Sequence, residues 1–181
     1  MRRIVLCMFV VICALGLSSR ALAQAADTQV IMGYVDYDEP LDDLIYRGFY
    51  EYVNDEVTPS HFPSTETGVH CVQYEFYQVE LSDERLSNLS LLLMELPTEF
   101  AAWGYRFGDA LELLSLGASY PGLQIDGPIV ALGNYWFHPG CGPHPLAILY
   151  RDGCRELDAA HLWSRFWRRT VRILLVRECS D

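Results

Sequence analysis

The sequence predicts an α+β domain, two or three helices packed on antiparallel strands and held by disulfides. Three observations carry this. Residues 104–119 contain a helix signature that leads, through a turn-rich linker, to a core strand. Several other runs are β-branched and aromatic and are bounded by Gly, Pro and Asp-Gly, which is how strands end. Four cysteines, Cys71, Cys141, Cys154 and Cys179, follow an export leader; an even number in an exported chain is read as a disulfide set.

The leader comes first. Met1-Arg2-Arg3 is a basic start, residues 4–17 are apolar, and Ala21-Leu22-Ala23 is a small-residue cleavage site. This is the pattern of a secretory signal peptide over residues 1–23, with cleavage after Ala25 as the alternative. The apolar run, about 14 residues, is short of the ~20 a membrane span needs. Cys7 and Cys13 lie inside it without a lipoprotein pattern. Residues 24–181 are one domain's worth of chain, large enough to bury a core. The expected location is secreted or periplasmic, with no membrane span.

Val30 to Val35 reads as a strand. Pro40 suits the first turn of a helix. Leu41, Leu44, Ile45, Gly48, Phe49, Tyr52 and Val53 then recur at helical spacing, so the helix is expected to reach Val53. Asn54 to Gly68 is a loop. Val69 to Leu81 is a long strand, with His70, Val72, Tyr74 and Phe76 on one face and Cys71, Gln73, Glu75 and Tyr77 on the other. Ser82 or Asp83 caps a second helix to about Leu96, which Pro97 breaks. Asp109 caps a third helix and Gly117 ends it, since glycine takes the left-handed C′ conformation cheaply. Ile129 to Phe137 is a buried strand, and His138 to Pro145 is a Gly/Pro loop. Leu146 to Tyr150 and Cys154 to Leu157 form a hairpin about Asp152-Gly153. Ala159 to Arg169 is aromatic and basic, without a clear element, and Val171 to Cys179 is the closing strand.

Charge is uneven. Residues 24–126 hold 19 acids and three arginines, a balance of −16; residues 127–181 hold five acids and seven arginines, a balance of +2. Such acidity excludes nucleic acid as a partner, because phosphates are repelled. A cationic partner is compatible with it, and so is a solvated surface that keeps the protein dissolved.

Several segments together carry a resemblance: VDYDEPLDDLIYRGFYEYVNDEVTPSHFP, GYRFGDALELLSLGASYPGLQ, PIVALGNYW and RILLVRE. Spanning Val35 to Glu178, they resemble a family of uncharacterised bacterial proteins from candidate phyla, most specifically in PIVALG, the following Trp136 and the closing Val-Arg strand. Gly104-Tyr105-Arg106 leading into a helix with Glu112, then Trp136 and an arginine-bearing last strand, also resembles the C-type-lectin-like fold and its formylglycine-generating branch. That resemblance implies a C-type-lectin-like architecture with the ligand on the loops before the last strand, here His138 to Arg169. The calcium motifs of such lectins are absent, so calcium-dependent sugar binding is not implied.

The candidate chemistry lies in the same stretch. His138, Cys141 and His144 are zinc- or copper-ligating types, but three donors on seven residues are tight for a tetrahedral site. A Gly/Pro loop tied by a disulfide explains them as well. No Ser-His-Asp arrangement or nucleophile elbow is present, and no cofactor is expected. Trp163, Arg165, Trp167 and Arg168, with Tyr150, are the binding candidates, since Trp, Tyr and Arg dominate interface hot spots. The cysteines are expected to pair as Cys141–Cys154 and Cys71–Cys179. The sequence therefore predicts an exported module that binds a protein or glycan through the 138–169 face. The alternatives are a metal-dependent or redox enzyme at His138, Cys141 and His144, favoured by a free Cys141 thiol, and a structural envelope protein.

Overall fold

The computed structural model describes residues 30–80, 96–159, 161 and 170–180. The expected signal peptide, the expected second helix apart from its last residue, Leu96, and the candidates Trp163, Arg165, Trp167 and Arg168 lie outside the described residues.

The protein is a mixed α+β domain around one eight-stranded sheet. The strands are β1 (Ile31–Asp36), β2 (Tyr52–Val53), β3 (Val69–Glu80), β4 (Arg106–Phe107), β5 (Ile129–His138), β6 (Gly142–Arg151), β7 (Cys154–Ala159) and β8 (Thr170–Glu178). Helix α1 spans Leu41–Arg47 and helix α2 spans Ala110–Ser119; residues 96–101 are also helical. The sheet order is β1-β3-β8-β5-β6-β7-β2, with β4 also on β8. Most neighbours are antiparallel, but β5–β8 and β2–β7 are parallel, so the sheet is mixed rather than purely antiparallel.

The closing strand is central, not an edge. Val171 and Ile173 to Val176 are all buried, a continuous apolar run of the kind that fits a strand covered on both faces. Alternation then assigns the two cores. Leu174, Val176, Ile129, Ala131, Leu146 and Ile148 face α1 and α2. Val171, Ile173, Leu175, Val130, Ala147 and Leu149 face the other way, toward Phe100 and Tyr105. Residues 96–101 are helical across Pro97, which the sequence reads as a break, and fully buried Phe100 anchors them against Tyr77 and Phe107.

Four other expectations are corrected. Helix α1 ends at Arg47, not Val53. Gly48 is a poor interior helix residue, and the chain turns there so that Tyr52 and Val53 pair with Glu156 and Leu157 of β7. Gly117 lies inside α2, which runs on to Ser119. His144 and Pro145 belong to β6, not to a loop. The Cys141–Cys154 bond is absent: both thiols are free and exposed, while Cys71–Cys179 is formed. The reason is topological. Cys141 precedes β6 and Cys154 comes after it, and a ten-residue strand holds its ends roughly 30 Å apart, far beyond disulfide reach.

Candidate functional site

The site begins with a bulge in β5. Ala131 pairs with Leu146, but the next pairing is Tyr135 with Pro145. The intervening residues bond elsewhere. The Gly133 amide donates to the Gly108 carbonyl at 2.8 Å, and the Asn134 Oδ1 accepts the Ala110 amide at 2.9 Å at the start of α2. Gly133 has no alternative residue type here, since a Cβ would sit 2.7 Å from the Phe107 carbonyl oxygen. A bulge bends its strand and re-aims the side chains next to it. Beyond this one, residues 135–138 and 142–145 form an arm that outruns β7, whose pairing with β6 stops at Leu146. Pro143 and Pro145 are tolerated because no strand needs their missing amides.

On one face of this arm, three of the chain's five histidines meet one tryptophan, and a fourth packs on one of them. Trp136, half-buried on the α2-side core, lies opposite His144. His61 stacks flat on the indole, centroids 4.2 Å apart and planes 8° apart. His138 meets it edge-on at 5.0 Å and His144 at 5.4 Å, while His161 lies 5.0 Å from His144. The other face carries Tyr135 and Phe137, both exposed.

Backbone groups fix the rings. His61 Nδ1 bonds the Glu56 carbonyl and His144 Nδ1 the Gly142 carbonyl, at 2.8 and 2.9 Å. A carbonyl only accepts, so both nitrogens carry the proton, which leaves each Nε2 as an acceptor. His161 Nε2 similarly donates to the Cys141 carbonyl. His138 differs: its Nδ1 accepts the Gly140 amide at 3.0 Å. Burial pulls the His144 pKa below the ordinary imidazole value, opposed by the Gly142 carbonyl; charge on His161 or His138 lowers it further, and Asp158 opposes this.

The expected set is only partly assembled. His138 and His144 come within 5.5 Å between ring centroids, and Cys141 sits in the turn between them. Among the described residues, no three His, Cys, Asp or Glu side chains converge as a metal set. Tyr150 is exposed near the far end of β6, so it is not part of the arm. Of the span expected as a loop face, 138–169, the described residues, 138–159 and 161, are mostly strand, and Leu146 to Leu149 are buried. Trp136, His61 and His161 were missed as site residues. The i, i+2 spacing of Trp136 and His138 on a strand was a usable signal. Nothing local joins His61 to them.

The Gly-x-Arg and Glu pieces are structural partners. Glu112, fully buried in α2, accepts from Tyr37 Oη at 2.5 Å, from Arg106 Nη1 and Nη2 at 2.9 and 2.7 Å, and from the Asp109 amide at 2.8 Å. A buried carboxylate is tolerated when its lone pairs are filled in this way. Burial first, then the Glu112 bond and charge, raise the Tyr37 hydroxyl's pKa. The Arg106–Glu112 bond is also the largest cause holding the guanidinium protonated. The cluster ties the end of β1 and β4 to α2.

Comparison with protein families, curated proteins and solved structures finds no match for the chain. Among the described residues, no helix is long and apolar enough to cross a membrane.

Proposed function

We propose that the protein is an exported binding module whose ligand, a glycan or a protein, docks on the imidazole–indole face of the β5–β6 arm. One observation carries the reading: three histidines, His61, His138 and His144, pack on Trp136, with His161 against His144, where the arm has already left the strand pairing of β7. Stability alone gives no reason to collect them there. A flat, half-buried aromatic surface edged with imidazole nitrogens suits a sugar face or an aromatic side chain. In the C-type-lectin-like reading of the fold, the arm corresponds to the ligand-bearing loops before the last strand. The bacterial family that the chain resembles has no activity to add to this reading.

The test is a glycan array and a displayed-peptide screen at pH 7.5, with binders confirmed by Trp136 fluorescence. Trp136→Ala and His144→Ala should each weaken a confirmed ligand at least tenfold while far-UV circular dichroism is unchanged. A ligand indifferent to both variants would sink the proposal. The part of the binding that depends on His144 should be lost only below the ordinary imidazole pKa, because burial pulls that pKa down.

The free thiol of Cys141 favours a second reading, a metal-dependent or redox enzyme at His138, Cys141 and His144. Its requirement is stoichiometric zinc or copper in the purified protein, lost together with thiol reactivity in Cys141→Ser.

A further inference from the structure

A second surface lies on a different part of the fold. Helix α1, Val53 of β2 and the segment after it line an open surface depression of about 380 Å³. Its floor is apolar, from Ile45, Val53 and Val57. Asp42 and Tyr46 of α1 also line it, and so do Asn54 and Asp55 after β2. Asp42, Ile45 and Tyr46 are i, i+3 and i+4, so they share one helix face, while Leu41 and Leu44 hold the helix to the core.

Three features set this depression apart from an ordinary solvated dent. The first is charge. Residues 36–56 hold eight carboxylates and one arginine. That arginine, Arg47, is already paired with Glu39 at 2.7 Å, and among the described residues neither Asp42 nor Asp55 forms an ion pair. The second is exposed aromatic surface. Tyr46 and Phe49 are each 78% exposed, with rings 6.4 Å apart. The third is backbone. Phe49 adopts φ +50°, a left-handed conformation that favours glycine over a bulky residue. The fold gains no burial from its ring, yet an aromatic residue stands where glycine would fit more easily.

We propose that this depression docks a basic polypeptide segment. Arginine or lysine side chains lie between Asp42 and Asp55, with their aliphatic stems on Ile45, Val53 and Val57, as long cationic side chains cover apolar surface. A guanidinium is the best fit, because it is weakly hydrated, planar and stacks on aromatic faces such as Tyr46 and Phe49. The surrounding carboxylates steer such a segment in and repel acidic ones.

The experiment uses the full chain and a fluorescein-labelled peptide of alternating arginine and leucine, read by fluorescence anisotropy at low and at physiological salt. The same peptide with glutamate for arginine, and spermidine as a small polycation, serve as comparisons. The arginine peptide should bind, and less tightly as salt screens the charges. Asp42→Asn with Asp55→Asn should weaken it at least tenfold. Phe49→Gly should weaken it threefold or more with a melting temperature unchanged or raised, because glycine takes φ +50° freely. Trp136→Ala should leave it untouched, which separates this surface from the imidazole site. The proposal is overturned by no binding at 1 mM peptide, by equal binding of the glutamate peptide, by displacement with spermidine at the peptide's own concentration, or by variants that bind as tightly as the parent.

Discussion

Asp109 shows how one residue can cap a helix and still work against it. Its Oδ1 accepts the Glu112 amide at 2.9 Å, and the Glu112 side chain returns the bond to the Asp109 amide, a full capping box. Burial and then the Glu112 charge push the Asp109 carboxyl up to about 6, from 3.8. The folded chain therefore holds this proton between about pH 4 and 6, when the unfolded chain has lost it. Its contribution to stability falls as pH rises through that window. Asparagine caps as well as aspartate and does not ionise. Asp109→Asn should flatten the stability profile between pH 4 and 6 and leave the protein about 1–2 kcal/mol more stable at pH 7, as read by urea melts across pH. An unchanged slope would remove Asp109 as its source. His144 acts with the opposite sign: its lowered pKa withdraws stability as pH falls below the ordinary imidazole value.

At the scale of elements, α2 is held to its surroundings through a glycine. Gly117 is packed so closely that a Cβ would meet Tyr50 Oη at 2.5 Å, Ile148 Cδ1 at 2.6 Å and Arg155 Nη2 at 2.9 Å. Its carbonyl accepts Arg155 Nη2 at 2.5 Å, and the same guanidinium reaches the Gly48 carbonyl and lies 4.2 Å over the Tyr50 ring. Burial pulls the Arg155 pKa down, opposed by Tyr50 and Glu51. Helix propensity alone says that alanine at Gly117 gains about 1 kcal/mol. The packing says that it loses about 1–3 kcal/mol from overfilling, and Gly117→Ala should melt earlier in thermal denaturation. A higher melting temperature would mean that Tyr50 and Arg155 move aside freely. The start of α2 was legible in the sequence because a cap is local: Asp109 and Glu112 sit three residues apart. The role of Gly117 was not, because its neighbours come from β6, β7 and the turn after α1. The same limit shortened α1 and turned a Gly/Pro-rich loop into half of β6, since Pro143 and Pro145 carry no sign that their partners lie on one side only.

For the whole molecule, the ordering link is β3 against β8. Their antiparallel register runs from Val72–Glu178 to Glu80–Thr170, and the Cys71–Cys179 bond closes it across 108 residues of sequence. Reduction, or Cys71→Ser with Cys179→Ser, should cost about 2–5 kcal/mol by loss of that constraint on the unfolded chain, roughly 5–15 °C in melting temperature for a protein of this size. A melt unaffected by reductant would show that the strand pairing alone suffices. The long strands β3, β5 and β8 were readable because hydrophobic and aromatic runs are strong signals, whereas the two-residue strands β2 and β4 depend on partners far along the chain. The site was readable only in part: His138 and His144 stood out as a motif, but their meeting with His61 and His161 depends on how loops return to the arm.

The same bond divides the chain into a ring and a tail. Everything from β3 to β8, including α2 and the arm with Trp136, His138 and His144, lies between Cys71 and Cys179. Strand β1, helix α1 and strand β2 precede Cys71 and lie outside. If the protein were pulled by its two ends, tension would cross directly from one sulfur to the other, and the ring would carry no load. The tail would yield first, with β1 peeling from the edge of the sheet and α1 after it. The acidic depression would be dismantled early, while the arm would keep its indole and lose only the ring of His61 stacked on it. The two proposed surfaces of this small domain therefore differ under strain: force opens the first, and of the second it removes only His61.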